Sequence, residues 1–178
     1  MNETLYQARR FLVTGLMIFT CLLLQMGVLP KLKLGIVMPN LMVILTSTAG
    51  FMRSQKQGMF MGFFCGIALD LFSSQVFGYY ALIYLLIGSL NGLFRHLFFG
   101  DDLKMPLAMI AASDLLYGLM IYISAFFLHG NREFLFYLLN IMIPEAVYTG
   151  VISLILYPLI YRIYRWMQED KQRRRSLG

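Results

Sequence analysis

The sequence predicts an all-α, polytopic membrane protein with six transmembrane helices in a single domain. Three observations carry that prediction. Of the 178 residues, 59% are hydrophobic and only 13% are charged, where soluble domains carry about a quarter charged residues. The apolar residues fall into long stretches, most of them close to the roughly 20 residues that cross a bilayer. The basic residues sit almost entirely in every second connection, as the positive-inside rule requires of a multi-pass chain.

The first span, 11–29, follows Arg9 and Arg10. It exceeds the roughly 7–15 residues of a signal-peptide core and has no small-x-small cleavage site after it, so it reads as a retained helix. The second span covers 34–52, with Pro39-Asn40 near its start. The third, 58–72, is the short one. Fifteen residues reach roughly 22 Å, less than an apolar core near 30 Å. It is expected to thin the bilayer locally, or to form a re-entrant hairpin with the fourth span, 76–94. The fifth and sixth spans cover 105–128 and 135–161, and a basic tail occupies 162–178.

The breaks between spans are Lys31–Lys33, Arg53–Gln57, Ser73–Gln75, Arg95–Lys104 and His129–Glu133. None is long enough to hold a soluble domain. With six spans, all of the 15 basic residues except Lys31, Lys33 and Arg132 share the side of both termini. That side is expected to be cytoplasmic. The tail "RIYRWMQEDKQRRRSLG" then anchors topology, with anionic lipid or a cytoplasmic partner as the functional alternative. The formal charge of +6 is accounted for in the same way. No basic surface domain remains for nucleic acid once the spans are set aside.

Small residues mark the helix faces that pack. In "GMFMGFFCGIALD", Gly58, Gly62 and Gly66 recur every fourth residue, and Asp70 continues the series. The small-xxx-small pattern recurs at Gly88 and Gly92, and again at Ala108 and Ala112. Such spacing lets two backbones approach closely. Four residues overshoot a helical turn by about 40°, so the stripe is a slanted ridge that suits a right-handed crossing. It is expected to pack against another helix, of this chain or of a partner.

Asp70, Asp114 and Glu145 lie inside predicted spans, with Asn40 just after Pro39. From the span ends these four fall in the middle and outer half of the membrane. Polar groups there face the bundle interior or a wet cavity. We expect an intramembrane polar cluster, with at least Asn40 and Asp70 together. A buried acid with no cation nearby is expected to donate a hydrogen bond to a carbonyl or amide oxygen. A structural clasp, an ion or substrate site and a catalytic dyad would each use such residues. Asp70 reads best as a clasp.

Nothing points to an enzyme, a cofactor or a metal. Cys21 and Cys65 lie in apolar segments without ligand spacing and read as packing residues. His96 and His129 fall at opposite membrane ends, so no Ser-His or Cys-His pairing is suggested. No P-loop, GxSxG or HExxH pattern occurs.

From Met38 to Phe94 the sequence reads "MPNLMVILTSTAGFMRSQKQGMFMGFFCGIALDLFSSQVFGYYALIYLLIGSLNGLF". Pro-Asn opens a span, and a short basic loop leads to the glycine-rich third helix. Asp70, a serine pair and Gly78-Tyr79 follow. This stretch resembles the MreD family of rod shape-determining proteins, which also matches in length and span count. The resemblance implies a non-enzymatic role in bacterial cell elongation and lateral peptidoglycan synthesis, in the cell membrane. It implies association with an MreC-like single-span protein, and through it with MreB-like filaments and a RodA-type synthase. It also implies a fold distantly like the substrate-binding component of energy-coupling-factor vitamin transporters. A vitamin-type transport role is therefore the alternative. The resemblance assigns no role to Asp114 or Glu145.

Overall fold

The computed structural model describes residues 3–32, 36–72, 76–97, 104–129 and 133–175. The expected break at Ser73–Gln75, and the outer-side basic residues Lys33 and Arg132, lie outside them. The described chain is helical, with no strand element among the described residues. Helix α1 spans Glu3–Leu23 and runs on through a π turn, Leu24–Val28, and a 3-10 turn, Leu29–Leu32. Then come α2 (Leu41–Met52), α3 (Gln55–Asp70), α4 (Tyr79–Leu93), α5 (Lys104–His129) and the short α6 (Phe134–Tyr137). A π turn, Leu138–Met142, joins α6 to α7 (Ile143–Arg175).

The helices divide by length. Ala8–Lys31, Lys104–Phe126 and Phe134–Trp166 are long and apolar enough to cross a membrane. Between them lie the shorter helices α2, α3 and α4, of 12, 16 and 15 residues. At about 1.5 Å per residue, α2 is only about 18 Å long. It is nevertheless the centre of the molecule. Leu41 through Phe51 are all buried, and α1, α3, α4, α5 and α7 all pack on it. A helix apolar on every side has to be surrounded by other helices.

Two boundaries depart from the sequence reading, each for a local reason. The second span was expected to be helical from 34, yet α2 starts at Leu41 with Asn40 as its extended N-cap. Pro39 supplies no N–H and disfavours helical backbone at Met38, so the helix begins only after it. The third helix starts before 58, at Gln55, because the extended Ser54 accepts the Gln57 N–H at 3.4 Å. Arg53 and Ser54 alone therefore connect α2 to α3. At the far end α7 runs past 161, so most of the basic tail continues the helix.

Basic residues gather at one end of the bundle. The Arg53 guanidinium stacks on the Tyr164 ring at 4.3 Å, and that of Arg9 on Trp166 at 4.2 Å. These contacts bring the α2–α3 turn, the start of α1 and the late part of α7 together. The outer faces are apolar: Phe11, Leu12 and Leu16 on α1, and Val147, Leu154 and Ile155 on α7, are exposed. An exposed apolar girdle of this size is what hydrocarbon, rather than water, accommodates.

Candidate functional site

The glycine ridge is filled by the chain itself. A Cβ built on Gly58 would stand 2.4 Å from the Gly88 carbonyl oxygen, and one on Gly88 would stand 2.1 Å from that of Gly58. At Gly62 a Cβ would meet the Tyr84 oxygen at 2.0 Å. At Gly66 it would meet the Ala81 Cα at 2.3 Å, and at Gly92 the Gln55 Cα at 2.3 Å. The pairs 55–92, 58–88, 62–84 and 66–81 describe one antiparallel seam along the full length of α3 and α4. The two small-residue stripes are thus the two halves of one interface. Gly50 of α2 enters the same seam, its added Cβ 3.0 Å from the Gly88 oxygen. At Gly58, Gly62, Gly66, Gly88 and Gly92 the nearest neighbour is backbone, which cannot swing aside as a side chain can. Ala108 and Ala112, in contrast, lie on an exposed face of α5.

The start of α2 is buried, and its orphan N–H groups have to find partners inside the protein. α7, the π turn after α1 and the cap residue itself supply them. The Asn40 N–H donates to Thr149 Oγ1 on α7 at 3.0 Å. The Leu41 N–H donates to Gln25 Oε1, in the π turn after α1, at 2.8 Å. The Val43 N–H donates to Asn40 Oδ1 at 3.2 Å, and the Tyr84 hydroxyl donates to that same oxygen at 2.9 Å. Asn40 is therefore a cap that also ties α2 to α4.

Asp70 does the corresponding work for α4. That helix starts after Gly78, whose φ of +94° suits only glycine and which offers no side chain as a cap. Asp70, at the end of α3, reaches across instead. Its Oδ1 accepts the Tyr80 N–H and its Oδ2 the Ala81 N–H, both at 3.0 Å. The sequence suggested a hydrogen-bond donor; the structure shows an acceptor on both oxygens. Its partners are N–H groups at a helix N-terminus, where a carboxylate is favoured by the helix dipole as well. Asn40 and Asp70 are both buried and both hold the first turns of α4, one through Tyr84 and the other through the backbone. They are not bonded to each other among the described contacts.

Asp114 and Glu145 lie near each other, on the side of Asn40 where Thr149 stands. Asp114 is buried, and both of its oxygens lack a hydrogen-bond partner. Thr149 Oγ1, which accepts the Asn40 N–H, keeps its own O–H to donate and lies beside Asp114. Glu145, in the first turn of α7, and Tyr117 lie in the same neighbourhood.

A further clamp escaped the sequence reading. Asn91 Nδ2 donates to Ile87 O at 2.8 Å, Ser113 Oγ at 2.7 Å and Ser47 Oγ at 3.2 Å. It joins α2, α4 and α5 at one buried point. The signal was present, an amide inside "GSLNGLF", but its partners lie 44 and 22 positions away. Gln25 and Thr149 were missed for the same reason. Tyr79 also hydrogen-bonds Ser124, linking α4 to α5.

The polar interior is thus largely occupied in holding helix ends and crossings together. Cys21 and Cys65 are free and buried. Among the described residues no group of three or more His, Cys, Asp or Glu side chains is placed to hold a metal ion.

The family model described as rod shape-determining protein MreD matches residues 7–167, nearly the whole chain. No curated protein and no solved structure matches it. That family is one of shape-determining structural proteins rather than a known enzyme family. The chain belongs to the MreD family of rod shape-determining membrane proteins.

Proposed function

We propose that this protein is a non-enzymatic subunit of the cell-elongation machinery. It binds the membrane span of an MreC-like protein and through it supports lateral peptidoglycan synthesis, with MreB-like filaments and a RodA-type synthase as indirect partners. The chain crosses the membrane six times, and the basic end of the bundle, with both termini, faces the cytoplasm. The observation that carries this reading is where the polar groups are spent. Asn40 and Asp70 cap α2 and α4, and the glycines close the α3–α4 seam, so the interior acts as a scaffold. Contact with another protein then falls to the exposed apolar faces of the long helices α1, α5 and α7.

The vitamin-transport alternative needs Asn40, Asp70 and Glu145 to line a pocket open to the outside. Two of those three side chains are committed to backbone N–H groups instead, which favours the scaffold reading. The test is co-purification of the full-length chain with a tagged MreC-like protein from native membranes. Stable recovery supports the proposal. Absence of recovery, together with selective retention of a vitamin-sized ligand, overturns it.

A further inference from the structure

The α3–α4 hairpin is too short for the bilayer that its neighbours are long enough to cross. We propose that its lipid-facing side draws the outer leaflet inward and so selects phospholipids with short acyl chains. This goes beyond the scaffold reading. It relies on that reading only for the placing of the hairpin's inner end at the cytoplasmic surface, and no partner protein enters its test.

At about 1.5 Å per residue, α3 is about 24 Å long and α4 about 22 Å, against about 39 Å for α5. The exposed Lys56 and Arg95 stand at the inner end of the pair. Its outer end therefore stops about 6–8 Å short of an apolar core near 30 Å. The same step shows between neighbouring helices. Tyr79, the first residue of α4, hydrogen-bonds Ser124, and α5 continues outward from there to His129, about one and a half turns. The hairpin cannot slide outward to close the gap. Asn91 fastens it to Ser47 and Ser113, while the glycine seam and the Asp70 cap keep its two helices in register. Tilting would only shorten its reach.

Such a hairpin can end inside the hydrocarbon, or the hydrocarbon can retreat to meet it. The exposure of its outer end decides between the two. Leu71, Phe72 and Val76–Gly78 are not helical. Leu71 is 68% exposed, Phe72 65%, Val76 61% and Phe77 69%, so the described residues leave this end uncovered. Irregular backbone at membrane depth is tolerated only where protein covers it or water reaches it. Here water and headgroups have to reach it, and the leaflet is thin beside it. Below that end the exposed side chains are apolar, with Phe60 and Phe64 on α3 and Leu82, Leu86 and Leu90 on α4. Hydrocarbon chains therefore lie directly on the short face. The long apolar runs of α1, α5 and α7 suit full thickness, so the thinning is confined to one side of the bundle. A lipid with short chains fills that side with less compression than a long-chain one.

The test compares two faces of one molecule. Trp166 is the sole tryptophan, so Leu82→Trp on α4, or Val151→Trp on α7 as the control, reports the lipid at its own face in a Trp166→Phe background. Both side chains are exposed. The full-length variants are placed in vesicles of brominated dioleoyl phosphatidylcholine mixed with unbrominated dimyristoleoyl or dierucoyl phosphatidylcholine. At Leu82→Trp the short-chain lipid should relieve quenching at least twofold more effectively than the long-chain one. At Val151→Trp the long-chain lipid should do at least as well as the short. The same preference at both faces overturns the proposal. A second measurement leaves the lipid face intact. Phe77→Cys should react with a membrane-impermeant maleimide added outside the cell, with the wild-type chain, whose Cys21 and Cys65 are buried, as the blank. A Phe77→Cys that labels only after solubilisation in detergent puts the hairpin end inside the hydrocarbon and overturns the thinning. Labelling from the cytoplasmic side alone would overturn the orientation taken from the scaffold reading, and with it the assignment to the outer leaflet.

Discussion

The Asp70 carboxylate holds the backbone N–H groups of Tyr80 and Ala81, each at 3.0 Å, and so caps α4 from the far end of α3. The residue that most resembles a functional acid in the sequence is thereby a fastening. Asp70→Ala leaves the buried Ala81 N–H and the part-buried Tyr80 N–H without partners and is expected to cost about 1–3 kcal/mol. Asp70→Asn keeps one accepting oxygen and should fall between the two. Thermal unfolding of the purified protein in detergent measures this order. An Asp70→Ala variant as stable as the wild type would refute the cap.

Tyr84 and Asn40 offer a pairwise test. Tyr84→Phe removes one hydrogen bond while Asn40 Oδ1 keeps the Val43 N–H, a loss of about 1 kcal/mol. Asn40→Ala removes the cap as well and strands the Tyr84 hydroxyl, a loss of about 1–2 kcal/mol or more. In the double variant the losses should not add, because both single changes break the same bond. Additive losses would show that the 2.9 Å contact contributes nothing to stability.

Asp114 differs from Asp70. Its oxygens accept no backbone N–H, and Thr149 is the hydrogen-bonding side chain beside them, a neighbour that the amide oxygen of Asp114→Asn can keep. We expect unchanged or raised stability and unimpaired rod shape when the variant replaces the native protein in cells. A normally folded Asp114→Asn that abolishes rod shape would contradict this and give the acid a role beyond packing.

The sequence displayed the membrane class, the small-residue stripes and the two residues, Asn40 and Asp70, that turn out to be helix caps. These are local signals: a composition, a four-residue spacing, a polar residue beside a proline or at a span end. What could not be read was pairing. Gly58 and Gly88 look like two separate motifs until the chain reverses between them. Thr149 is an unremarkable hydroxyl until it meets the N–H of Asn40, 109 positions away. Gln25 and Asn91 are the same case. A lone polar residue in an apolar span announces a need for a partner, but only the helix arrangement decides which partner meets it. The direction of the hydrogen bonds at Asp70 was likewise not legible, because the sequence did not show that the start of α4 lies against it.

Gly62→Leu asks whether the glycine ridge is internal. A Cβ at Gly62 already meets the Tyr84 oxygen at 2.0 Å, and forcing backbone apart in a packed core costs about 1–3 kcal/mol or more. Ala112→Leu, on an exposed face of α5, is the control and should unfold like the wild type. Both variants are to be purified without any partner and followed by size-exclusion chromatography and thermal unfolding. Gly62→Leu alone should lose its monodisperse, cooperatively unfolding form. A Gly62→Leu protein that folds normally by itself and fails only in binding the MreC-like protein would contradict it, because the ridge would then belong to the partner.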